Sequence, residues 1–485
     1  MEPKHRVVAL TVSCALFMQS IDSTVLGTAL VPIARDYGVD PVRMHMVLTA
    51  YLISLAVFLP LSGWLADRYG ARTVFRLAVL LFTLASVACA FAPNLQLLVA
   101  ARIVQGAGGA MMTPVARLVL LRTVPRSQIV NAMAWVSIPA LVGPLIGPPL
   151  GGFIITYGSW PWVFWINVPI GLVGIILSTR YMGNIREASV PPIDMLGFAL
   201  VAIAVGGLLF GLETSGGGLF PEWANAVAIG AGAVALFLYI RHARHTPAPI
   251  LNLELLRLPT FYAGVIGGSV FRIGIGALPF LLPLMLQAGF GYNPLTSGLT
   301  TFSAAAGAIA MKFVAQPAIK RFGFRDVLIW NAVLSGISIA CCALFAPSTP
   351  LWIIFAVLLV GGFFRSLEFT ALNSIAYADL RVEQMSQGTS FSTLMQQLSL
   401  SLGIGLSAMM LDLLRMSGLV PAEGGFSITF ALVGAIIFVA AWQFSRLSQS
   451  AGSEVSGRRI GGPRDGLQPA RTDPEAEAPP APPAP

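Results

Sequence analysis

The sequence predicts an all-α integral membrane protein, and three observations support this fold class. Of the 485 residues, 56% are hydrophobic and 10% are charged, and the mean hydropathy is +0.79; soluble domains carry about 25% charged residues. The apolar residues form windows of about 20 residues, long enough to cross the hydrocarbon core as a helix. The windows are continuous rather than alternating, which favours helices over barrel strands.

We predict fourteen membrane spans. The first follows a short basic N-terminus and is too long for the core of a signal peptide, so we expect it to remain in the protein. Residues 449–485 are rich in Gly, Pro, Ala and Glu and are predicted to form a disordered tail. In chain order, the predicted spans are 7–33, 44–66, 74–92, 95–115, 133–157, 162–180, 196–212, 224–240, 260–287, 297–317, 327–346, 351–376, 386–411 and 425–445.

Lys and Arg concentrate in alternate connections between the spans. The connections predicted on the other side carry only Arg35, Arg43 and Arg415. By the positive-inside rule, both termini are predicted to be cytoplasmic. The net charge of +8 follows from the same bias, so it implies no nucleic-acid partner.

Several classes of function lack their sequence signals. The four cysteines, Cys14, Cys89, Cys341 and Cys342, lie in apolar windows, which is typical of packing rather than of metal ligation or disulfides. Neither a GxSxG nor an HExxH motif is present, so we expect no enzyme. Without a Walker motif, ATP is not expected to drive transport directly, and we expect no cofactor. A channel filter has no signal here, whereas a membrane sensor stays open as an alternative.

A weak internal repeat divides the chain. Residues 63–72 follow the second span, and the similar residues 316–325 follow the tenth; Gly70 matches Gly323, and Arg72 matches Arg325. Spans 1 to 6 would then repeat as spans 9 to 14, around two inserted helices, which is typical of transporters. The predicted parts are an N-terminal six-helix half (1–182), two inserted helices with their loops (183–258), a C-terminal six-helix half (259–448) and the cytoplasmic tail (449–485).

The connection after the second span carries Gly63, Asp67, Arg68, Gly70 and Arg72. The first glycine permits close helix approach, the acid pairs with a cation or caps the next helix, and the second glycine permits a tight turn. An ordinary positive-inside loop is the simpler interpretation. The full pattern resembles the signature loop of the major facilitator superfamily, which implies a latch on the cytoplasmic side that gates alternating access.

Two charged residues inside the first half are predicted to pair. Arg102 shares one face of the fourth span with Gln105, and an arginine there costs about 2.5 to 3.5 kcal/mol on insertion scales. Asp22 of the first span lies at a similar depth. Gln19, one turn away, is expected to join the network and to line the substrate path. Burial favours the neutral carboxyl group while the arginine favours the charged one, so Asp22 is suited to exchange protons. A structural arginine is the alternative. Residues 102–110 resemble the superfamily's fourth-helix motif, which is tied to proton transfer.

The fifth span has a ridge of small residues. Gly143, Gly147 and Gly151 recur every four residues, and Pro148 lacks a backbone donor. A packing groove explains this pattern and is compatible with function. The segment ending at Gly152 resembles the motif of antiporter members of the superfamily, which implies export.

The second half carries four ionisable residues inside its spans. Arg272 lies in span 9, roughly where Asp22 lies in span 1, and is predicted to contact substrate or to supply a counter-charge in the substrate path. Lys312 of span 10 either contributes to the substrate path or extends its amine to the membrane surface. Arg365 and Glu368 of span 12 either line the path or pair within their helix.

Residues 21–30 resemble the first-helix motif of the 14-helix drug:proton antiporters, the EmrB/QacA group, except that Gly27 replaces the usual Asn and Pro32 lies one position late. Residues 162–171 strengthen this likeness. The shorter segments 17–20, 44–47, 109–112, 272–274 and 311–312 resemble the MdtD-like group of bacterial multidrug exporters. The resemblance implies a monomer in the bacterial inner membrane; a periplasmic adaptor stays open.

We therefore predict a proton-coupled efflux transporter that exports small molecules by alternating access. The resemblance implies lipophilic multidrug substrates. Arg272 and Lys312 leave open an organic anion or a metal chelate, such as a citrate-like carboxylate.

Overall fold

The computed structural model describes residues 3–124, 129–184, 186, 190, 192–214, 221–247, 249–381, 384–418 and 425–453. Within these ranges the chain is helical and contains no β-strand. There, twelve helices are long and apolar enough to cross a membrane, and two more apolar helices are shorter. The fold class is confirmed, with fourteen helices where fourteen spans were predicted. The predicted tail lies outside the described residues from position 454 onward.

The helices are numbered here by span, with non-α turns included where they continue a span. Asn94 and Asn293 start two of them, because each side chain accepts a hydrogen bond from the backbone N–H three residues later. The fourteen are α1 (Pro3–Tyr37), α2 (Pro41–Phe58), α3 (Ala71–Ala90), α4 (Leu95–Thr123), α5 (Ile129–Tyr157), α6 (Trp162–Tyr181), α7 (Met195–Phe210), α8 (Glu222–Ala243), α9 (Pro259–Gly289), α10 (Pro294–Phe322), α11 (Phe324–Leu344), α12 (Leu351–Ile375), α13 (Met385–Met416) and α14 (Phe426–Phe444).

The second span is shorter than predicted. Helix α2 ends at Phe58, and a separate short helix, Leu61–Tyr69, follows. Pro60 lies at the break, where its missing N–H would interrupt a continuous hydrogen-bond ladder. Residues 63–69 of the predicted gating segment therefore lie on the short helix and not inside the membrane helix.

The internal repeat is visible in the turns that precede α3 and α11. Gly70 and Gly323 both have positive φ, +94° and +82°, which favours glycine. Two residues later, Arg72 donates to the carbonyl of Met182 at 3.4 Å, and Arg325 donates to the carbonyl of Ser445 at 3.0 Å. Each arginine thus joins the start of one helix to the end of the last helix in its half.

Helix packing follows the same repeat. In the first half, α1 packs on α5 and α6, α4 packs on α2 and α3, and α3 packs on α6. In the second half, α9 packs on α13 and α14, α12 packs on α10 and α11, and α11 packs on α14. The halves meet through α1 with α9, α2 with α13 and α5 with α10, and α7 and α8 pack on each other beside α2.

Several contacts between the halves lie near the face predicted to be periplasmic. Arg415, at the end of α13, forms an ion pair of 3.2 Å with Asp40, before α2. Thr156 of α5 accepts a hydrogen bond from the backbone of Leu295 in α10 at 3.2 Å. Gly298 of α10 faces the backbone of α5 so closely that a Cβ would overlap it. The two halves are therefore in contact at this end.

Candidate functional site

A buried polar network lies where α1, α4 and α6 meet. Its centre is Asp22 of α1, which is 2% exposed. Arg102 of α4 donates from Nη1 to Asp22 Oδ2 at 2.6 Å, and Gln105 donates from Nε2 to Oδ1 at 2.8 Å. Asn167 of α6 donates from Nδ2 to the same Oδ1 at 2.9 Å. The carboxyl group thus receives three hydrogen bonds, one of them from a charged donor.

Arg102 is buried and is held by further contacts. Its Nη1 also donates to Gln105 Oε1 at 2.6 Å, and its Nε donates to the carbonyl of Val47 in α2 at 3.2 Å. Its Cζ lies 4.4 Å from the centre of the Tyr51 ring, which adds a cation–π contact. The guanidinium group therefore ties α4 to both α1 and α2.

Asn167 and Ser86 are members of this network that the sequence did not reveal. Asn167 Nδ2 also lies 2.9 Å from Ser86 Oγ of α3, and that hydroxyl donates to the carbonyl of Phe164 at 2.9 Å. Both side chains are fully buried. Asn167 could have been recognised from the sequence, because its amide stands alone among apolar residues of the sixth span and such a group needs a buried partner.

This arrangement links the charge of one carboxyl group to the position of five helices, α1, α2, α3, α4 and α6. All three donors stabilise the charged carboxylate, and protonation would remove the attraction between Asp22 and Arg102. A buried arginine without its counter-ion is costly, so the helices would rearrange or admit water. The structure brings together the three residues assigned to proton coupling; that role stays a prediction.

Gln19 was expected to join the network. It does not bond Asp22 directly, but its side chain interacts with Tyr51, whose ring packs on Arg102. Gln19 Oε1 accepts a hydrogen bond from Thr113 Oγ1 at 2.9 Å. Among the described residues, no hydrogen bond joins Gln19 to Asp22. The reason is geometric, since Gln19 faces a part of α4 two turns beyond Gln105.

The glycine ridge of α5 packs directly on the helix that carries Asp22. Gly143 faces Ser20, Gly147 faces Thr24, and Gly151 faces the next turn of α1, each so closely that a Cβ would overlap its neighbour. Helix α5 stays α-helical through Pro148. Gly152 instead faces the backbone of α10, in the other half. The ridge therefore joins α1 to the interface between the halves.

Gly27, one of the two departures from the group's first-helix motif, lies at the crossing of α1 and α9. A Cβ on Gly27 would lie 3.0 Å from the carbonyl oxygen of Pro279. A larger residue there would push α9 away, so the departure permits this close crossing.

The predicted gating segment is only partly as expected. Gly70 adopts the turn, and Arg72 contacts the end of α6. The expected close helix approach at Gly63 is absent, because a Cβ there would meet no described heavy atom within 4 Å. Asp67 and Arg68 lie on the short helix Leu61–Tyr69, and their gating role stays a prediction.

In the second half, Arg272 is fully buried in a helix interrupted by π-helical segments. One such segment is Ala263–Gly267, and Arg272 Nη1 donates to the carbonyl of Gly264 within it at 3.2 Å. Its Nη2 donates to Asn373 Oδ1 of α12 at 3.2 Å, and its Cζ lies 5.8 Å from the Phe369 ring centre. All of these partners are uncharged.

The other three ionisable residues face different neighbours. Arg365 and Glu368 form no ion pair with each other, and neither carboxyl oxygen of Glu368 has a hydrogen-bond partner in the described chain, so the expected alternative of pairing within the helix is wrong. The cation that interacts electrostatically with Glu368 is Arg272. Lys312 is exposed, and its Nζ donates to Thr370 of α12 at 3.1 Å. Their roles in a substrate path stay predictions.

A cavity of about 380 Å³ opens elsewhere, between α2, α7 and α13 near the predicted periplasmic face. Apolar side chains such as Leu209 and Met409 line it beside Asp40, Asp412 and Arg415. It contains none of the residues predicted for the substrate path. Over the described residues, no group of three or more His, Cys, Asp or Glu is placed to hold a metal ion.

Two halves of six membrane helices, related by a repeat and with a buried ion pair in one half, define a secondary membrane transporter. The chain belongs to the Major Facilitator Superfamily, whose sequence profile matches residues 12–404 and, in a second overlapping match, 264–474.

Relatives agree with this assignment. The chain is 37% identical over 452 residues to the MdtD protein of Escherichia coli, covering 92% of this chain and 95% of that protein. It is 39% identical over 404 residues to MdtD of Salmonella heidelberg, covering 83% and 85%. The name of these relatives proposes a role in multidrug resistance. The predicted likeness to the MdtD-like group is confirmed.

Solved structures share the fold. The transporter PepTSo of the POT family superposes with a TM-score of 0.67 at 14% identity, covering 94% of this chain and 99% of that one. A D-xylose–proton symporter superposes with a TM-score of 0.65 at 14% identity, covering 92% and 98%.

Proposed function

We propose that this transporter is a proton-coupled antiporter that exports small molecules by alternating access. The observation that carries the proposal is the buried network of Asp22, Arg102 and Gln105, in which protonation of one carboxyl group would release an arginine that ties three helices together. The close contact of the α5 glycine ridge with α1 supports the same conclusion, because a movement of α1 at Asp22 would also displace α5.

Lipophilic multidrug compounds are the proposed substrates, supported by the name of the MdtD relatives. A second candidate is an organic anion or a metal chelate of a citrate-like carboxylate. Arg272 favours it, because this buried cation has only uncharged hydrogen-bond partners in the described part of the chain.

The remaining features belong to the same proposal. The chain acts as a monomer in the bacterial inner membrane, with both termini in the cytoplasm, and exchanges protons for substrate without a cofactor or a catalytic step. Its parts are the halves 1–182 and 259–448, the inserted helices in 183–258 and the tail 449–485. The excess of Lys and Arg in alternate connections supports this orientation.

The test is Asp22→Asn in proteoliposomes with an imposed pH gradient. We expect proton-driven movement of ethidium, a lipophilic cation, to be lost, because an amide has no proton to exchange at this site. Asp22→Glu, which restores an acid, is expected to regain part of it.

Asp36→Asn is the matched control, since Asp36 lies on the same helix but is exposed, and its hydrogen-bond partner in the described chain is the half-buried Trp160 side chain; it should transport normally. Normal export by a correctly folded Asp22→Asn protein would remove Asp22 from the mechanism. Movement of citrate but not ethidium would replace the multidrug proposal with the anion proposal.

A further inference from the structure

Glu368 is a buried acid whose carboxyl group has no hydrogen-bond partner in the described part of the chain. It lies within α12, with none of its surface exposed. Neither Oε1 nor Oε2 accepts or donates a hydrogen bond there. Asp22, by contrast, receives three. The two buried acids therefore lie in opposite electrostatic environments.

A charged carboxylate in such a place is costly. A charged acidic side chain within a membrane helix is unfavourable on insertion scales, and burial without hydrogen bonds adds to this cost. The protonated acid is neutral and avoids most of the cost. The surroundings of Glu368 therefore favour its neutral form.

The ionisable groups packed against α12 come from three helices. Arg272 of α9 interacts electrostatically with Glu368 and with Tyr377. Lys312 of α10 is bound to Thr370, and Cys342 of α11 interacts with Arg365. Arg272 is thus the cation that Glu368 meets.

Arg272 interacts with Glu368 electrostatically but forms its hydrogen bonds with other groups. Its terminal nitrogens donate to Gly264 and Asn373, and its Nε has no described partner. The guanidinium group of Arg272 can bind these neutral acceptors while Glu368 is neutral. It would bind a charged Glu368 carboxylate in preference to them, because charge-assisted hydrogen bonds are about twice as strong.

Extending the proposed proton coupling, we propose that Glu368 is a second proton-binding site, protonated in this conformation, that pairs with Arg272 after it releases its proton. On release, the O–H bond breaks, the proton passes to water in the path, and the electron pair stays on the carboxylate. Arg272 then exchanges the Asn373 oxygen for Glu368, which draws α9 toward α12.

The first test is infrared spectroscopy of the full-length protein in lipid vesicles at pH 7. We expect a band of one protonated carboxyl group that Glu368→Gln removes. Asp22→Asn should leave that band in place, because Asp22 is paired in this conformation. Measuring this band needs no transported substrate, so the result is independent of whether export depends on Asp22. A band unchanged by Glu368→Gln in a folded protein would overturn the proposal.

The second test concerns Arg272. In Arg272→Gln, the band should persist to higher pH than in the wild type, because the released carboxylate loses its partner. An unchanged pH dependence would remove Arg272 from the proposal.

If Glu368→Gln does not fold, the wild-type protein can be tested with dicyclohexylcarbodiimide. This reagent adds to protonated carboxyl groups in apolar surroundings. Mass spectrometry should locate it on Glu368 and not on Asp22. Failure to modify Glu368 would count against the proposal.

Discussion

Asp22 and Glu368 show how neighbours decide what a buried acid does. Around Asp22, one arginine and two amides supply donors from α4 and α6. Around Glu368 no donor lies within hydrogen-bond distance in the described chain, although Arg272 is near. The first environment stabilises a charge, and the second disfavours one. In one conformation the molecule thus holds a fully hydrogen-bonded acid in its first half and an acid without hydrogen bonds in its second.

Asn167 offers a residue-scale test of the first environment. In Asn167→Ala the carboxylate of Asp22 loses one donor to its charged form, so it should bind a proton more readily. We expect the pH at which ethidium export is half-maximal to move upward, with a loss of about 1 to 2 kcal/mol in stability as judged by thermal unfolding in detergent.

Ser86→Ala is the matched control, because it removes a neighbour of Asn167 without removing a donor to Asp22. It should lower stability but leave the pH profile in place. An unshifted profile in Asn167→Ala would show that this amide has only a structural role.

At the scale of the element, α1 is the helix on which the functional contacts converge. Its Asp22 side is bound to α4 and α6, its next face receives the α5 glycine ridge, and Gly27 brings it against α9. A helix held this closely has few positions to occupy, so small changes on its neighbours should affect transport.

Gly147→Ala tests this convergence. Its added methyl group would overlap the Thr24 side chain of α1. We expect export to fall at least several-fold and thermal stability to drop, although alanine is the better helix former by up to about 1 kcal/mol.

Gly230→Ala in α8 is the control, because a Cβ there meets no described atom within 4 Å. It should transport normally and be equally or more stable. If both variants behave alike, the tight α1–α5 contact has no part in transport.

At the scale of the molecule, the two halves touch near the predicted periplasmic face. The Asp40–Arg415 ion pair, the Thr156–Leu295 hydrogen bond and Gly298 all lie there. Alternating access requires such contacts to open when substrate leaves on this side. An exposed ion pair contributes only about 0 to 1 kcal/mol, so this contact is suited to repeated opening.

A cross-link at this contact should stop transport. In a protein without its four native cysteines, Asp40→Cys and Arg415→Cys should be joined by a membrane-impermeant bifunctional thiol reagent applied to intact cells, and export should cease. A reducible reagent allows export to be restored by a thiol.

The single-cysteine proteins are the controls and should keep exporting. Continued export by the cross-linked protein would show that this contact does not open. Reaction only after the cells are made permeable would show that the predicted orientation is wrong.

The sequence alone determined the class of the molecule, because the length of a membrane helix and its apolar surface are properties of consecutive residues. Fourteen spans, the repeat and the pairing of Asp22 with Arg102 follow from hydropathy, turn glycines and the cost of an isolated intramembrane charge. Pro60 indicates the end of α2, but the residues on both sides of it are apolar, so hydropathy alone predicted a continuous span.

Only the tertiary structure decided which side chains meet. It drew Asn167 and Ser86 into the network, turned Gln19 toward Thr113, and separated Arg365 from Glu368. Residues one turn apart share a face of a helix, yet their partners come from other helices, whose rotation and depth are set by close packing of small residues. That packing is a property of the assembled bundle, so no single stretch of sequence records it.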